Sequence, residues 1–244
     1  MNNSAIPLFH NSTIPQSQTV ILAARAIETP QPMNNSAIPL FHNSTIPQSQ
    51  TVILAAGSFP RKGGVPWRIL ASAGRVVCCD GAADAYRRRF GREPDVVVGD
   101  CDSLRGRFRN VVKVAEQETN DLCKAYRHCV SNGWADPVVL GATGRREDHT
   151  LANVFLALDL GLTVVTDYGR FVPVEGDAAF HVGVGTPISI FAPDPATRMT
   201  SRGLEWPLDG HVFANLYSAA LNRASVDIVE LVSSHRVYVY VAFA

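Results

Sequence analysis

The order of apolar and polar positions predicts short buried strands alternating with helices along most of the chain. The apolar runs are short and nearly continuous, which is typical of parallel strands that are covered on both faces. Leu122, Ala125 and Cys129 share one face of a predicted helix, and Thr119 or Asn120 is placed to cap its N-terminus. The predicted strands are 51–56, 75–79, 95–98, 111–114, 137–140 and 163–166, and the predicted helices are 66–73, 82–90, 121–130 and 149–160. We therefore expect an α/β domain with a parallel sheet.

The pattern changes after Tyr168. Short β-branched runs separated by Gly, Pro and Asp follow, and no helical period remains. The strands predicted there are 181–184, 187–191, 226–231 and 236–243. The fold class is thus predicted as α/β, with an N-terminal parallel-sheet α/β domain over residues 46–170 and a smaller antiparallel β-sandwich domain over residues 171–244.

The N-terminus contains a duplication. Residues 1–24 recur without a change at residues 33–56. A perfect repeat that occurs once is not typical of a solenoid, whose repeats diverge and continue. Only the second copy continues into the following domain, and Met33 is a natural start. We expect residues 1–45 to be a duplicated extension without function.

Composition sets broad limits on the function. The chain has 244 residues, of which 46% are apolar and 18% charged, and its formal net charge is zero. The zero net charge argues against nucleic acid or an anionic membrane as a partner, and no apolar run is long enough to span a membrane. The five cysteines form no CxxC pair. Together with the lack of a secretory signal, they predict a cytoplasmic protein without a disulfide framework.

Acidic residues follow several predicted strands. In open α/β sheets, ligands bind beyond the carboxyl ends of the strands, so Asp80, Asp100 and the loop at Gly141 are expected to converge. Asp100 and Asp102, in the motif GDCDSL, can present both carboxylates on one face of an extended chain. Mg²⁺ prefers such oxygen ligands together with substrate phosphates. The alternative is that Asp102 only caps a following turn.

The motif QETNDLCKA places Asp121 and Lys124 three residues apart in the first turns of a helix. Beside GDCDSL, this spacing predicts a third metal-binding carboxylate and a cation that contacts phosphate. The alternative is an acidic residue favoured by the helix dipole that forms a surface ion pair.

The motif GATGRREDHTLAN joins a strand to a helix. Its glycines let backbone N–H groups approach phosphate oxygens, and Arg145 and Arg146 can add charge-assisted contacts. Asp148 is either part of this site or only a helix N-cap, and His149 either acts directly or only lies in the first helical turn. Together the three motifs predict a site for a metal-bound polyphosphate, and hence phosphoryl or pyrophosphoryl transfer.

In this order and spacing, the motifs resemble thiamine pyrophosphokinase over residues 51–240, together with VILAAGSFP, DGAA, GTPISIF and GLEWPL. The resemblance implies a homodimer whose thiamine site lies between the subunits. It also implies an ATP- and Mg²⁺-dependent enzyme that moves the β,γ-pyrophosphoryl group of ATP to the hydroxyl of thiamine and releases AMP. Two positions depart from the family pattern: Arg145 replaces a glycine, and Leu221 replaces a serine.

The resemblance also implies roles for single residues. Asp100, Asp102 and Asp121 are expected to bind the metal, and Asp148 to face the reacting centre or thiamine. Trp206 is expected to stack on thiamine with Asn222 near it, although Trp206 is alternatively a packed core residue. The expected ATP contacts are Asp80, Gly81, Gln117, Lys124, Thr143, Gly144 and Arg146. Two alternative functions remain open: a DxD nucleotide-sugar transferase, and a non-catalytic protein that binds thiamine or nucleotide.

Overall fold

The computed structural model describes residues 38–42 and 51–243, which belong to one compact unit. In chain order its elements are β1 (Leu40–His42), β2 (Thr51–Leu54), α1 (Val65–Ser72), β3 (Arg75–Cys79), α2 (Ala82–Phe90), β4 (Val96–Gly99), β5 (Val111–Lys113), α3 (Asp121–Ser131), β6 (Val138–Leu140), α4 (Glu147–Asp159), β7 (Val164–Val165), β8 (Gly169–His181), β9 (Pro187–Phe191), β10 (Arg198–Arg202), β11 (His211–Val212), β12 (Ala219–Arg223) and β13 (Ile228–Ala242). None of the helices in the described ranges is both long and apolar enough to cross a membrane.

The first half of the unit is a parallel sheet in the order β5-β4-β3-β2-β6-β7. The central strand β2 is completely buried because both sheet faces are covered. Ile53 packs in the core that includes residues of α3 and α4, whereas Val52 and Leu54 pack in the opposite core with residues of α1 and α2. The predicted α/β fold is confirmed, and the alternation of side chains along β2 shows why its run is apolar throughout.

The second half consists of antiparallel strands, as predicted, around a third apolar core. The predicted strand bounds differ. The two strands expected at 226–231 and 236–243 are the single strand β13, and most of residues 181–184 follow the end of β8. The pairing of β13 with β8 shifts register between Ser233 and Val237. Such a bulge bends a strand without ending it. From the sequence alone, the polar residues at the bulge were interpreted as a break between two strands.

Part of the predicted N-terminal extension contributes to this half. The strand β1 pairs in parallel with β8, and the Ala179 N–H donates a 2.9 Å hydrogen bond to the Pro39 carbonyl. The Phe41 ring stacks on Phe180 with 5.0 Å between centroids. The strand β1 is therefore an edge strand of this half. The first repeat copy, residues 1–24, lies outside the described residues, and its lack of function stays a prediction.

Candidate active site

The parallel sheet reverses its strand order at β2, which has β3 on one side and β6 on the other. The connections that follow β2 and β6 lead to helices on opposite faces of the sheet, and ligands of open α/β sheets bind at the carboxyl ends of the strands at such a point. A cavity of about 420 Å³ lies there. It is lined by Ala55, Ala56, Gly57, Cys79, Asp100, Gln117, Thr119, Asn120, Asp121, Leu122, Lys124, Ala142, Gly144, Arg145, Arg146, His149 and Asn153.

The loops after β2 and β6 form one wall of this cavity. The Gly57 N–H donates to the Gly141 carbonyl and the Ser58 N–H to the Thr143 carbonyl, each at 2.8 Å. The two backbones are in such close contact that a Cβ atom at Gly57 would lie 2.4 Å from the Gly141 oxygen. Gly57 therefore has to be a glycine, and the GSFP and GATG segments act as one paired structure.

A group of three carboxylates lies at the ends of β3 and β4. Asp80, Asp100 and Asp102 each place one oxygen within 4.8 Å of an oxygen of the other two. Asp80 is 2% exposed, and its Oδ2 accepts hydrogen bonds from the Ser103 N–H at 3.1 Å and the Ser103 Oγ at 2.8 Å. Its Oδ1 is buried and has no hydrogen-bond partner in the described structure. Burying a carboxylate oxygen without a partner is costly, and a bound cation would offset that cost.

The neighbours of each carboxyl shift its pKa in a different direction. The Asp102 N–H donates to Asp100 Oδ1 at 3.2 Å and Gln117 Nε2 donates to Asp100 Oδ2 at 3.3 Å, and these bonds lower the pKa of Asp100. Contact with the Asp80 carboxyl and repulsion from Asp100 raise the pKa of Asp102. The surroundings thus favour the ionised form of Asp100 and disfavour that of Asp102. A cation bound between the two carboxylates would offset their repulsion.

The first turn of α3 lies beside this cluster. Lys124 is only 4% exposed and its Nζ is 3.5 Å from Asp121 Oδ1, so the alternative of a surface ion pair is wrong. A Cβ atom at Gly99 would lie 3.2 Å from Asp121 Oδ1, which shows how closely α3 approaches the end of β4. Burial raises the pKa of Asp121, and the Lys124 charge opposes this shift.

Asparagine side chains fix the position of α3. The Asn120 Oδ1 accepts the Cys123 N–H at 3.0 Å, so Asn120 is the N-cap of the helix. Its Nδ2 donates to Asn153 Oδ1 at 2.9 Å, and Asn153 Nδ2 donates to the Ala142 carbonyl at 3.3 Å. These bonds connect α3, α4 and the loop after β6 across the cavity.

The helix α4 begins at Glu147 with Arg146 at its N-cap position. The alternative that Asp148 is the N-cap is therefore wrong, because Asp148 lies in the first helical turn. The Arg146 Nη2 is 2.5 Å from Asp148 Oδ2, and this contact lowers the pKa of Asp148. His149 lines the cavity, whereas Thr143 lines a neighbouring cavity of about 430 Å³.

Unusual backbone conformations concentrate at this site. Among the described residues, five other than glycine have positive φ angles: Asp80, Cys101, Asp136, Arg145 and Leu221. Asp80, Cys101 and Arg145 belong to the strand-end loops around the cavity. Such conformations cost about 1–3 kcal/mol each and persist where the surrounding contacts enforce them, which is common at functional sites.

The predicted thiamine residues lie in the C-terminal β part. Trp206 is 52% exposed, so the alternative that its indole packs in a core is wrong. Asn222 is buried and forms two hydrogen bonds with the Trp206 backbone. Its Oδ1 accepts the Trp206 N–H at 3.2 Å, and its Nδ2 donates to the Trp206 carbonyl at 2.7 Å. Asn222 thus fixes the turn that presents Trp206.

The structure brings most of the predicted polyphosphate residues together. The lining includes Asp100, Gln117, Asp121, Lys124, Gly144 and Arg146, and Asp80 and Asp102 join through the acidic cluster. The Gly81 N–H lies behind this cluster and donates to Ser103 Oγ at 3.2 Å. The roles of Ser103, Asn153 and Gly57, and the cross-link formed by Asn120, were not predicted from the sequence. A strand followed by GSFP was the signal for Gly57, and no local pattern indicated the other contacts.

Comparisons with known proteins agree with this geometry. The model of the thiamin pyrophosphokinase catalytic domain matches residues 67–165, and that of the thiamin pyrophosphokinase substrate-binding domain matches residues 169–240. No curated protein sequence matches the chain.

Solved structures share the fold at low sequence identity. Thiamin pyrophosphokinase from Candida albicans superposes with a TM-score of 0.69 at 14% identity, over 87% of this chain and 95% of that one. The yeast enzyme gives 0.65 at 14% identity, over 89% and 96%. Thiamine pyrophosphokinase from Bacillus subtilis gives 0.63 at 15% identity, over 80% and 99%. By its two family matches, the chain belongs to the thiamin pyrophosphokinase family of kinase-type transferases.

Proposed function

We propose that this chain transfers the β,γ-pyrophosphoryl group of ATP to the hydroxyl of thiamine and releases AMP. The observation that carries the proposal is the cavity at the strand-order reversal, where Asp100, Gln117 and Lys124 face the loop that holds Gly144 and Arg146. A polyphosphate chain requires cations and N–H donors on one side and a metal bound by carboxylates on the other.

The described residues fit a magnesium ion, which neutralises phosphate charge when it is bound. Asp100, Asp102 and Asp121 are the proposed ligands. The unpartnered Oδ1 of Asp80 adds a fourth carboxylate at the back of the cluster, with Ser103 holding its other oxygen. The repulsion that raises the pKa of Asp102 is the electrostatic cost that a divalent cation offsets.

The residues around the cavity position the reactants. Gln117, Lys124, Thr143, Gly144 and Arg146 are the proposed ATP contacts, with Asp80 and Gly81 near the nucleotide. Pyrophosphoryl transfer needs the attacking hydroxyl in line with the leaving group and stabilisation of charge on the phosphate oxygens. Asp148, which Arg146 holds ionised, is proposed to face the reacting centre and orient that hydroxyl.

The proposed thiamine contacts are Trp206 and Asn222. An exposed indole suits both the flat aminopyrimidine and the cationic thiazolium. We propose that the site is completed between the subunits of a homodimer. The free thiols of the five cysteines suit a reducing compartment, and we propose a cytoplasmic location.

Mass spectrometry of the products tests the proposal. Purified protein incubated with ATP, Mg²⁺ and thiamine is expected to form thiamine diphosphate and AMP in equal amounts, and EDTA is expected to stop the reaction. Thiamine monophosphate with ADP would contradict the transfer of a pyrophosphoryl group. ATP binding without any product would favour a non-catalytic binding protein.

The family matches support this function over a nucleotide-sugar transferase. A thermal-shift comparison separates the two directly. ATP with Mg²⁺ is expected to raise the melting temperature, whereas UDP-glucose with Mg²⁺ at the same concentration is expected to leave it unchanged. The reverse result would favour the transferase.

A further inference from the structure

Arg145 has an unusual conformation and an unusual contact. Its φ angle is +64°, in the left-handed region that favours glycine. Its Nη1 donates a 3.0 Å hydrogen bond to the Ala56 carbonyl, across 89 residues of sequence. This bond adds a side-chain link to the backbone hydrogen bonds that join the loops after β2 and β6.

Among the described residues no carboxylate offsets the charge of Arg145, whereas two other basic residues that line the cavity are each paired with one. Lys124 is paired with Asp121 at 3.5 Å, and Arg146 is paired with Asp148 at 2.5 Å. Within residues 38–42 and 51–243, Arg145 forms no ion pair with a carboxylate, and it is exposed at the cavity wall. A guanidinium retains several further donors after one hydrogen bond to a carbonyl.

We propose that Arg145 has two roles that a glycine at this position lacks: it ties the loop at Ala56 to the loop at Gly144, and it provides the main anion-binding cation of the cavity. The tie holds the wall in place before the ligand enters. The remaining donors then face the phosphate oxygens, because no neighbouring carboxylate neutralises them. The identification of the anion as the phosphate chain of ATP rests on the proposed function.

Substitutions at Arg145 separate the two roles from a general effect on folding. R145G removes the side chain and relieves the backbone strain, R145K retains the charge without the planar fork, and Arg88→Ala removes one exposed charge on α2 as a matched control. R145G is expected to weaken calorimetric binding of magnesium tripolyphosphate and Mg–ATP by about tenfold, since about 1.4 kcal/mol corresponds to that factor. R145K is expected to retain an intermediate affinity, and Arg88→Ala the affinity of the unmodified protein.

Hydrogen exchange in the ligand-free protein tests the tie alone. The amides of Gly57 and Ser58 are expected to exchange several-fold faster in R145G, while those of the central strand β2 and the melting temperature stay unchanged. Unchanged exchange would overturn the tie, and unchanged binding would overturn the anion-binding role. If the unmodified protein binds tripolyphosphate but not ATP, the proposed function fails while both roles of Arg145 stand. If it binds neither, the anion-binding role fails and the exchange result decides the tie.

Discussion

The strand-end site, proposed to bind polyphosphate, and the Trp206 region, proposed to bind thiamine, present different kinds of surface. At the strand ends, carboxylates, a buried lysine and strained loops converge and are held by hydrogen bonds between distant segments. Around Trp206, the backbone is fixed by Asn222, but the large apolar side chains of Trp206 and Leu221 are exposed. Charged chemistry requires groups that are positioned in advance and partly removed from water. A flat organic ring needs an accessible apolar surface.

The two regions therefore differ in how complete they are within one chain. The strand-end site already has a cavity formed by loops of a single chain. Leu221 is 85% exposed with a φ angle of +61°, although an apolar side chain gains nothing from water or from that conformation. Exposed apolar surface of this kind is common where another surface covers it. This contrast agrees with the proposed homodimer, in which the organic substrate binds between subunits.

The largest effect is expected at the acidic cluster. Asp100→Asn and Asp102→Asn should each reduce turnover by about 100-fold or more, because a charge that stabilises phosphate oxygens through the metal is lost. Both side chains lie in strand-end loops outside the apolar cores, so circular dichroism and melting temperature should show an intact fold. The matched control Asp177→Asn removes an exposed carboxylate of β8 and should retain full turnover. Near-normal turnover of both variants at limiting Mg²⁺ would contradict the metal assignment.

The next effect separates the substrates. Trp206→Ala should raise the apparent KM for thiamine about tenfold, which corresponds to about 1.4 kcal/mol of lost stacking and cation–π attraction. The KM for ATP should change little, and Trp206→Phe should retain most of the thiamine affinity. An equal weakening of both substrates would remove the distinction between the two regions.

Mixing variants sharpens the same comparison. In the proposed homodimer, mixed dimers of Trp206→Ala and Asp100→Asn would contain one intact shared site. Mixing the two variants after dissociation and reassociation should therefore restore part of the activity that each lacks. Activity that stays at the sum of the two separate variants would show that both residues act within one chain.

Divalent cations should change the pH dependence of stability. The raised pKa values of Asp102 and Asp121 mean that their contribution to stability is present at low pH and is lost as the pH rises through those values. Mg²⁺ binds the ionised carboxylates, so it should raise the melting temperature more at pH 7 than at pH 4. Asp102→Asn should reduce this difference in the Mg²⁺ effect. The lowered pKa of Asp100 has the opposite effect on the protein without metal, because its contribution to stability is lost as the pH falls. An equal Mg²⁺ effect at both pH values would argue against binding at this cluster.

The smallest effect concerns the N-terminal extension. A chain that starts at Met33 should retain its activity and melting temperature, because β1 remains. A chain that starts at Thr45 loses β1 and the Phe41 packing, worth about 1–2 kcal/mol, and should melt about 2–6 °C lower. Because β1 supports β8, this loss should affect the C-terminal half before the strand-end site. A large loss on starting at Met33 would show that residues 1–32 have a structural role.

Local patterns in the sequence determined much of this protein. The apolar runs predicted the parallel strands, since a strand buried on both faces must be apolar throughout. The carboxyl-end rule then predicted that Asp80, Asp100 and the loop at Gly141 converge. The N-cap was predicted only as Thr119 or Asn120, and the structure decides for Asn120. These features depend on near neighbours or on the handedness of strand–helix connections, so the sequence alone is enough to predict them.

Only the tertiary structure decided which side chains are paired and which are left over. That the Arg145 side chain binds the Ala56 carbonyl depends on a distance of a few ångströms between two separate loops. The buried Asp80 oxygen without a partner and the single bulged strand β13 likewise arise from packing between elements that are distant in sequence. Spacing along a chain fixes the direction of a side chain relative to its own element, whereas its partner is fixed by how that element packs against the others.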